Sequence, residues 1–487
     1  DDTLRVERNG KTLGTIKVTA VSRQSSAAVT LTQAVPFVVG DAAVILKLAA
    51  ADSQSGMTSV LKDTTVIPGP VQIVQPASTQ SSPPSNIVSG RVGLQYSGIS
   101  ADDRRMNYSQ PSALFRVDVG NVLGTGMTFT LYSRNFYDLS DSYARYGETS
   151  RLKHRVYELS LQRDTPDDAI GYGVGRMISR YVGGLGVFDG GHFYLRQSNF
   201  TLGGILGANI GDRTMGFEGR DQKGAVFLNY RSGRDFMHQY DGTVAYVRQH
   251  AEGRLDREFV YVQNSLSMGS AFSVYESMEI DLNDINRGVR SSAARISNTF
   301  LSLNYYPVQW FSMNAGYDAS RSVYLFETMK TFPDTLFDRS LTQGFRGSAN
   351  FRLPYYITLA LNGSLRTRQG DERNSHNLGA SLRMSDIAGS EIEAAVRYAN
   401  IVGVYTDGNN ITVDLDRTFF NRVSISMRYD YYAFRVISLD RSFITQTLTV
   451  NANYRMSRWL YSTVSVDRVI DATMNSYRIY GEIGVRF

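Results

Sequence analysis

The chain has 487 residues, a formal net charge of +5 and no cysteine. It therefore has no disulfide, thiolate metal site or thiol nucleophile, and at about 100 to 200 residues per domain it exceeds one ordinary domain. The small charge excess is not gathered into basic runs interleaved with aromatics, so no nucleic-acid partner is expected.

Mean hydropathy is −0.24. No apolar run reaches the roughly 18 residues of a transmembrane helix. The nearest, Phe37 to Ala51, is interrupted by Asp41 and Lys47. Tyrosine (30), phenylalanine (24) and glycine (43) are plentiful and proline (11) is sparse, a balance that suits strands. The sequence starts at Asp1 without an initiator methionine, and we expect a form that has lost its leader or its first residues.

Residues 1–50 read as a small β unit. Leu4–Glu7, Leu13–Val21, Ala28–Thr32 and Phe37–Leu48 alternate as short strands, and Asn9-Gly10 is a type I′ hairpin signal between the first two. The string G-K-T-L-G-T-I-K-V-T-A-V from Gly10, with the later V-V-G-D-A-A-V, resembles the SH3-like module of some periplasmic flagellar-assembly proteins. That resemblance implies a periplasmic docking module; a cap over a barrel mouth is the other reading. Residues 51–85 are rich in serine and proline, including Pro68-Gly69-Pro70 and Pro83-Pro84, as expected of a linker.

From Asn86 to Phe487 one pattern recurs about twenty times: strand-length alternation of apolar and polar residues. Ile357, Leu359, Leu361 and Leu365 oppose Thr358, Asn362, Ser364, Arg366 and Arg368; Val423, Ile425, Met427, Tyr429 and Tyr431 oppose Ser424, Ser426, Arg428 and Asp430. Tight turns such as Pro307–Gln309, Leu353-Pro354, Asp386–Ser390 and Met456–Arg458 alternate with longer connections at Ile99–Pro111, Asp138–Ser150, Leu282–Ser292, Arg321–Arg339 and Phe434–Arg441. The count is about 22 strands, or about 20 if the glycine-rich stretch Ile170–Arg231 holds one hairpin fewer; an even number returns both ends of the barrel to one side.

The last stretch, M-N-S-Y-R-I-Y-G-E-I-G-V-R-F, places Tyr477, Ile479, Gly481, Ile483, Val485 and Phe487 on one face and Arg478, Tyr480, Glu482, Gly484 and Arg486 on the other. With the repeated strands before it, this ending resembles the closing strand of Gram-negative outer-membrane β-barrels. The resemblance implies an all-β fold: a large antiparallel transmembrane barrel over 86–487, preceded by the small soluble β domain. It also implies that Tyr477, Ile483, Val485 and Phe487 carry the barrel-insertion signal. The termini would then be periplasmic. Trp310, Phe311, Tyr355, Tyr356 and Trp459, with Tyr461 nearby, would form a periplasmic aromatic girdle. The polar face, with Arg91, Arg366, Arg368, Arg428, Asp430, Arg478, Glu482 and Arg486, would line the lumen.

Signals of chemistry are few. The five histidines have no ligand spacing, and Gly171-Tyr172-Gly173-Val174-Gly175 lacks a dinucleotide fingerprint. Its glycines, with those up to Gly207, point to bends in the wall or to something packed tightly inside. Asp281, Asn283, Asp284 and Asn286 offer oxygen ligands in an order that does not match a calcium loop. No enzyme, metal or cofactor is expected. The connection Arg321–Arg339, with Tyr324, Phe326, Phe332 and Phe337, is apolar enough to constrict the lumen, cap the mouth or meet a partner. The leading expectation is a non-enzymatic outer-membrane channel or conduit, embedded in outer-membrane lipid, with a periplasmic or lumen-occupying protein partner. The alternative is a structural anchor with a closed lumen.

Overall fold

A computed structural model describes residues 3–8, 11–21, 26–33, 42–47, 86–103, 106–139, 151–165, 168–210, 216–235, 238–286, 289–323, 340–471 and 474–487. The chain forms two compact units, Asp1–Val71 and Gln72–Phe487. The proposed linker falls outside the described residues, as do the Asn9-Gly10 turn and the four aromatics of the 321–339 connection.

In the first unit β1 (Thr3–Arg8), β2 (Lys11–Val21), β3 (Ser26–Gln33) and β4 (Ala42–Lys47) form an antiparallel sheet in the order β3-β2-β1-β4. The first two strands pair as a hairpin, from Arg8 opposite Lys11 to Thr3 opposite Lys17.

The second unit is one closed barrel of 22 antiparallel strands. Its first strands are β5 (Ile87–Ala101), β6 (Tyr108–Gly120), β7 (Thr128–Tyr137), β8 (Leu152–Arg163), β9 (Ile170–Ile178), β10 (Val187–Gln197) and β11 (Phe200–Ile210). The wall continues through β12 (Phe217–Asp235), β13 (His238–Ala251), β14 (Arg254–Met268), β15 (Phe272–Asn286), β16 (Val289–Val308), β17 (Phe311–Ser320) and β18 (Thr342–Leu353). It ends with β19 (Ile357–Arg368), β20 (Ser375–Met384), β21 (Ile392–Val402), β22 (Thr406–Phe419), β23 (Val423–Val436), β24 (Arg441–Arg455), β25 (Leu460–Asp471) and β26 (Asn475–Arg486). Each strand pairs with its sequence neighbours, and β26 pairs with β5 to close the ring. The glycine-rich stretch holds four strands, β9 to β12, which decides the count for the larger number.

Two of the expected long connections are mostly strand. Leu282–Ser292 is taken up by β15 and β16, which pair to Asn286 opposite Val289, and Phe434–Arg441 shrinks to residues 437–440. The polar residues that resemble a loop there instead continue the ladder, whose backbone bonds form regardless of side-chain polarity.

Alternation divides the wall into two faces. Leu94, Leu206, Val226, Phe345 and Leu378 stand exposed on one, in a belt that continues round the ring. A closed belt of exposed apolar side chains is stable only against lipid, so the opposite, polar face encloses the interior.

Closure is sealed at the chain's last residue. Gly90 and Phe487 exchange backbone hydrogen bonds of 2.8 and 3.1 Å. The Phe487 ring lies on Gly90, where a Cβ would stand 2.6 Å from the ring and 2.6 Å from the Arg116 carbonyl oxygen. A leucine at Gly90 should destabilise the barrel by about 1–3 kcal/mol through overpacking. The expected readout is a lower temperature for loss of the fast-migrating folded band in detergent gels. Gly481→Ala is the control, because nothing lies within 4 Å of its Cβ position.

Candidate functional site: the barrel interior

The interior begins at the seam. The Glu482 carboxylate, on β26, receives Arg91 Nε (3.1 Å) and Gln95 Nε2 (3.0 Å) from β5. Tyr480 Oη donates to it at 2.7 Å, and the Arg91 Nη2 and Tyr461 Oη groups also donate. Glu482 is only 6% exposed, so its charge is supported by donors rather than by water. The Arg91 and Arg486 guanidiniums lie 5.2 and 4.4 Å from the centre of the Tyr461 ring. Tyr461 therefore belongs to the polar face; its hydroxyl supports the seam, and its place among the girdle aromatics is corrected.

A second construction fills the wall from β9 to β15. Direct cross-strand pairing aligns Gly171, Tyr194, Gly203, Phe227, Ala245, Tyr261 and Glu279 in one row. Large rings alternate with small residues, so each ring has a floor to lie on. A Cβ at Gly171 would fall 2.0 Å from the Tyr194 ring, and one at Gly203 would fall 2.5 Å from Phe227. The chain's own connection, residues 179–186, folds back over this row. Tyr181 stacks on Phe227 at 4.6 Å and meets Tyr194 edge-on at 5.2 Å. Val182 and Leu185 are fully buried beside Met177, Phe188, Val247 and Phe259. Lys223 Nζ grips the connection from β12, donating to the carbonyl oxygens of Leu185 (3.1 Å) and Val187 (2.8 Å).

Ions pin the connection at the other end of the barrel. Arg180 pairs with Asp164, in the turn after β8, and Tyr194 Oη donates to the same carboxylate. Arg196 Nη2 reaches it at 3.2 Å and donates to Tyr181 Oη at 3.3 Å. Burial alone would raise the Asp164 carboxyl, but Arg180, Tyr194 and Arg196 outweigh it and hold the group below its ordinary range.

The remaining polar-face residues fall into separate groups. Arg428 Nε and Arg397 Nη2 each bond Asp414 at 2.7 Å, and Thr412 donates to Asp430 at 2.5 Å. Arg366 lies 3.7 Å from Asp318, Arg368 donates to Ser340 at 2.9 Å, and Arg478 stands opposite Asp467. Arg91, Glu482 and Arg486 thus meet, Arg428 and Asp430 share one neighbourhood, and the others stand apart. Trp310, Tyr355, Tyr356 and Trp459 are exposed at turns on the end that also holds Ile87 and Phe487, and Phe311 packs on Phe351 at 5.2 Å. Tyr477, Ile483 and Phe487 are exposed on the apolar face, which Val485 shares by alternation. Asp281 is taken by Arg257 at 2.9 Å and Asn283 bonds Glu258, so neither waits for an ion. Among the described residues no group of His, Asp and Glu has metal-holding geometry.

Asp164, Arg180, Asp318 and Arg346 were not singled out from the sequence. Arg346 carries a readable signal, since it alternates with Gly344 and Ser348 on β18; the ion pairs of Arg180 need a fold-back that no local pattern announces.

No family model matches the chain, and no curated protein matches it. Solved structures do. A mutant of the ferric enterobactin receptor PfeA of Pseudomonas aeruginosa in complex with enterobactin is 8% identical, with a TM-score of 0.51 over 82% of this chain and 81% of that one. The siderophore receptor PirA of the same organism is 10% identical, with a TM-score of 0.47 over 83% and 81%. OccAB4 of Acinetobacter baumannii is 9% identical, with a TM-score of 0.43 over 83% and 99%. At such identities the shared property is the fold, that of a Gram-negative outer-membrane β-barrel.

Two outcomes follow from the interior's construction. Glu482→Ala should cost about 2–4 kcal/mol, because it leaves Arg91 unpaired, and Glu482→Gln should cost less; the denaturant midpoint in micelles reads both. The Asp164 carboxyl lies below its unfolded value, so its contribution is complete above about pH 3.9 and is lost as pH falls through the depressed folded value. Hydrogen exchange over residues 179–186, corrected for intrinsic rate, should therefore lose protection in that acid window, and Asp164→Asn should produce the loss at neutral pH.

Proposed function

We propose that this chain is a non-enzymatic outer-membrane channel or conduit, with both barrel ends of the chain in the periplasm and the amino-terminal β unit serving as an SH3-like docking module. The observation that carries this reading is the width of a polar-walled barrel set against what fills it. At about 4.8 Å between strands and a tilt of about 40°, 22 strands enclose a backbone diameter of roughly 44 Å. The fold-back connection 179–186, out and back at about 3.3 Å per residue, reaches no further than roughly 13 Å from the wall. It braces one side of the interior and leaves the rest to water, to the chain's other segments or to a partner.

Several placements support the orientation. The exposed Trp310, Tyr355, Tyr356 and Trp459 gather at the end that holds Phe487, as expected of rings at a headgroup boundary. Tyr355 and Tyr356 hold left-handed backbone (φ 62° and 59°). That conformation costs an L-residue roughly 1–2 kcal/mol, a cost offset if the rings partition into the interface. Tyr477, Ile483, Val485 and Phe487 then present the insertion signal on the lipid side. The first unit of the chain points to a partner in the periplasm, because a diffusion pore has no use for a separate sheet.

Single-channel recording of the full chain in a planar bilayer, with and without residues 1–80, tests this. Large steady conductance in the full chain is expected of a channel, and conductance released only by the deletion is expected of a conduit gated by its docking module. Silence in both forms would overturn the reading and leave the membrane anchor.

A further inference from the structure

Most arginines of the interior are consumed. Arg257 donates to Glu279 and Asp281 at 2.7 and 2.9 Å, and Arg397 and Arg428 together saturate Asp414. The sector from β17 to β20 departs from that pattern. By register its polar face carries Arg346, Arg352, Arg366, Arg368 and Arg383 against a single acid, Asp318. Arg383 is paired with Glu393 of β21 at 3.0 Å, Arg352 turns to the Gln309 carbonyl at 3.4 Å, and Arg368 bonds Ser340.

Arg346 and Arg366 remain. They share the Asp318 carboxylate at 3.9 and 3.7 Å, both beyond hydrogen-bond reach, and among the described residues neither guanidinium donates a hydrogen bond. Their side chains are 43% and 64% exposed. Arg346 is held in place all the same: it crosses Gly316, where a Cβ would stand 2.7 Å from its Nε, and its guanidinium lies 5.0 Å from the centre of the Phe300 ring. Hydroxyl and amide groups surround the pair, with Ser364 opposite Arg346, Ser375 opposite Arg366, and Asn377 opposite Ser364.

We infer that Arg346 and Arg366 form an oxyanion-binding station on the wall, which takes the carboxylate or phosphate of an anionic, hydroxyl-rich solute or polymer passing through the lumen. Two planar forks with free donors match the two oxygens of such a group. Asp318 sets the two guanidiniums beside each other without saturating either, and it cancels one of their two charges, so that binding stays weak enough for release. The serines and asparagines supply partners for hydroxyls. This assignment rests on the channel reading and names the substrate class of that interior.

The test uses the full chain in a planar bilayer under a KCl gradient, with trigalacturonate or inorganic phosphate added as probe. The wild type should prefer chloride, and the Arg346→Gln/Arg366→Gln pair should lower that preference about threefold at low salt. Trigalacturonate or phosphate should block the wild type and not the pair; block by one alone identifies the source of the oxyanion. Arg366→Lys keeps the charge and should keep the ion preference while weakening the block, because a lysine offers no fork. Cation preference in the wild type, block by neither probe, or equal block in the double variant would overturn the station. A silent wild type would instead defeat the channel reading. Calorimetric titration of the micelle-solubilised chain with the same probes then decides the station alone: binding lost in the pair supports it, and equal heats or none overturn it. Heat-modified gel migration checks that each variant is folded.

Discussion

Everything in this barrel depends on the pairing of its last strand with its first. In lipid an unpaired backbone N–H or C=O has no water to turn to, so the sheet is tolerated only when it has no edge. The β26–β5 ladder removes the edge, from Ser476 opposite Ala101 to Arg486 opposite Arg91. Side chains reinforce the same line from both faces. Phe487 covers Gly90 on the lipid side, and Glu482 ties β5, β25 and β26 together on the interior side. Slipping this register by one residue would turn Glu482 and Arg486 into lipid and Val485 and Phe487 into the lumen. The seam thus fixes which face is which for all the other strands.

Closing so many strands creates a second demand, because a wide ring encloses more space than its own side chains can fill. Among the described residues the chain meets it on one side. From β9 to β15 the interior has a packed layer, built by setting rings on glycines and laying residues 179–186 across them. The layer is held at both ends of the barrel, by Lys223 and by the Asp164 cluster, so it stiffens the wall along its height. From β17 to β20 the polar face carries arginines against one acid, Asp318, among the described residues. Among the described residues, packing thus gathers on β9 to β15 and uncompensated positive charge on β17 to β20.

The barrel was legible in the sequence because strand alternation is local: Leu359 and Thr358 declare their faces without reference to any distant residue. The strand count was legible for the same reason, and the four strands of the glycine-rich stretch resolved as soon as the pairing of β9 to β12 was seen. Tyr461 was misplaced because an aromatic near a turn resembles an interface ring, and only the approach of Glu482 from the next strand shows otherwise. The connection at 179–186 holds Gly183, Gly184 and Gly186, part of the stretch whose glycines point to bends in the wall or to something packed tightly inside, and the local sequence does not choose between the two. Its burial depends on Phe227 and Tyr261, which are brought beneath it by three-dimensional closure. Leu282–Ser292 was read as a loop because Asp and Asn are common in turns, whereas the ladder there is continued by the backbone.

Ion pairing separates structure from function in this interior. A guanidinium that donates to carboxylates at 2.7 Å while mostly buried, as Arg257 does beside Glu279 and Asp281, has its donors occupied, and removing either partner leaves a buried charge. Its value is to hold the wall. Arg346 and Arg366 are different in kind. They are exposed, their shared acid stands too far away for hydrogen bonds, and the intervening position on the wall is a glycine, Gly344. Wall stability gains little from such exposed and loosely paired charges. Yet Gly316 admits Arg346 across it, where a Cβ would stand 2.7 Å from the Arg346 Nε. A side-chain geometry that contributes little to stability, and that the local backbone is shaped to permit, is the kind expected where the wall meets what passes through it.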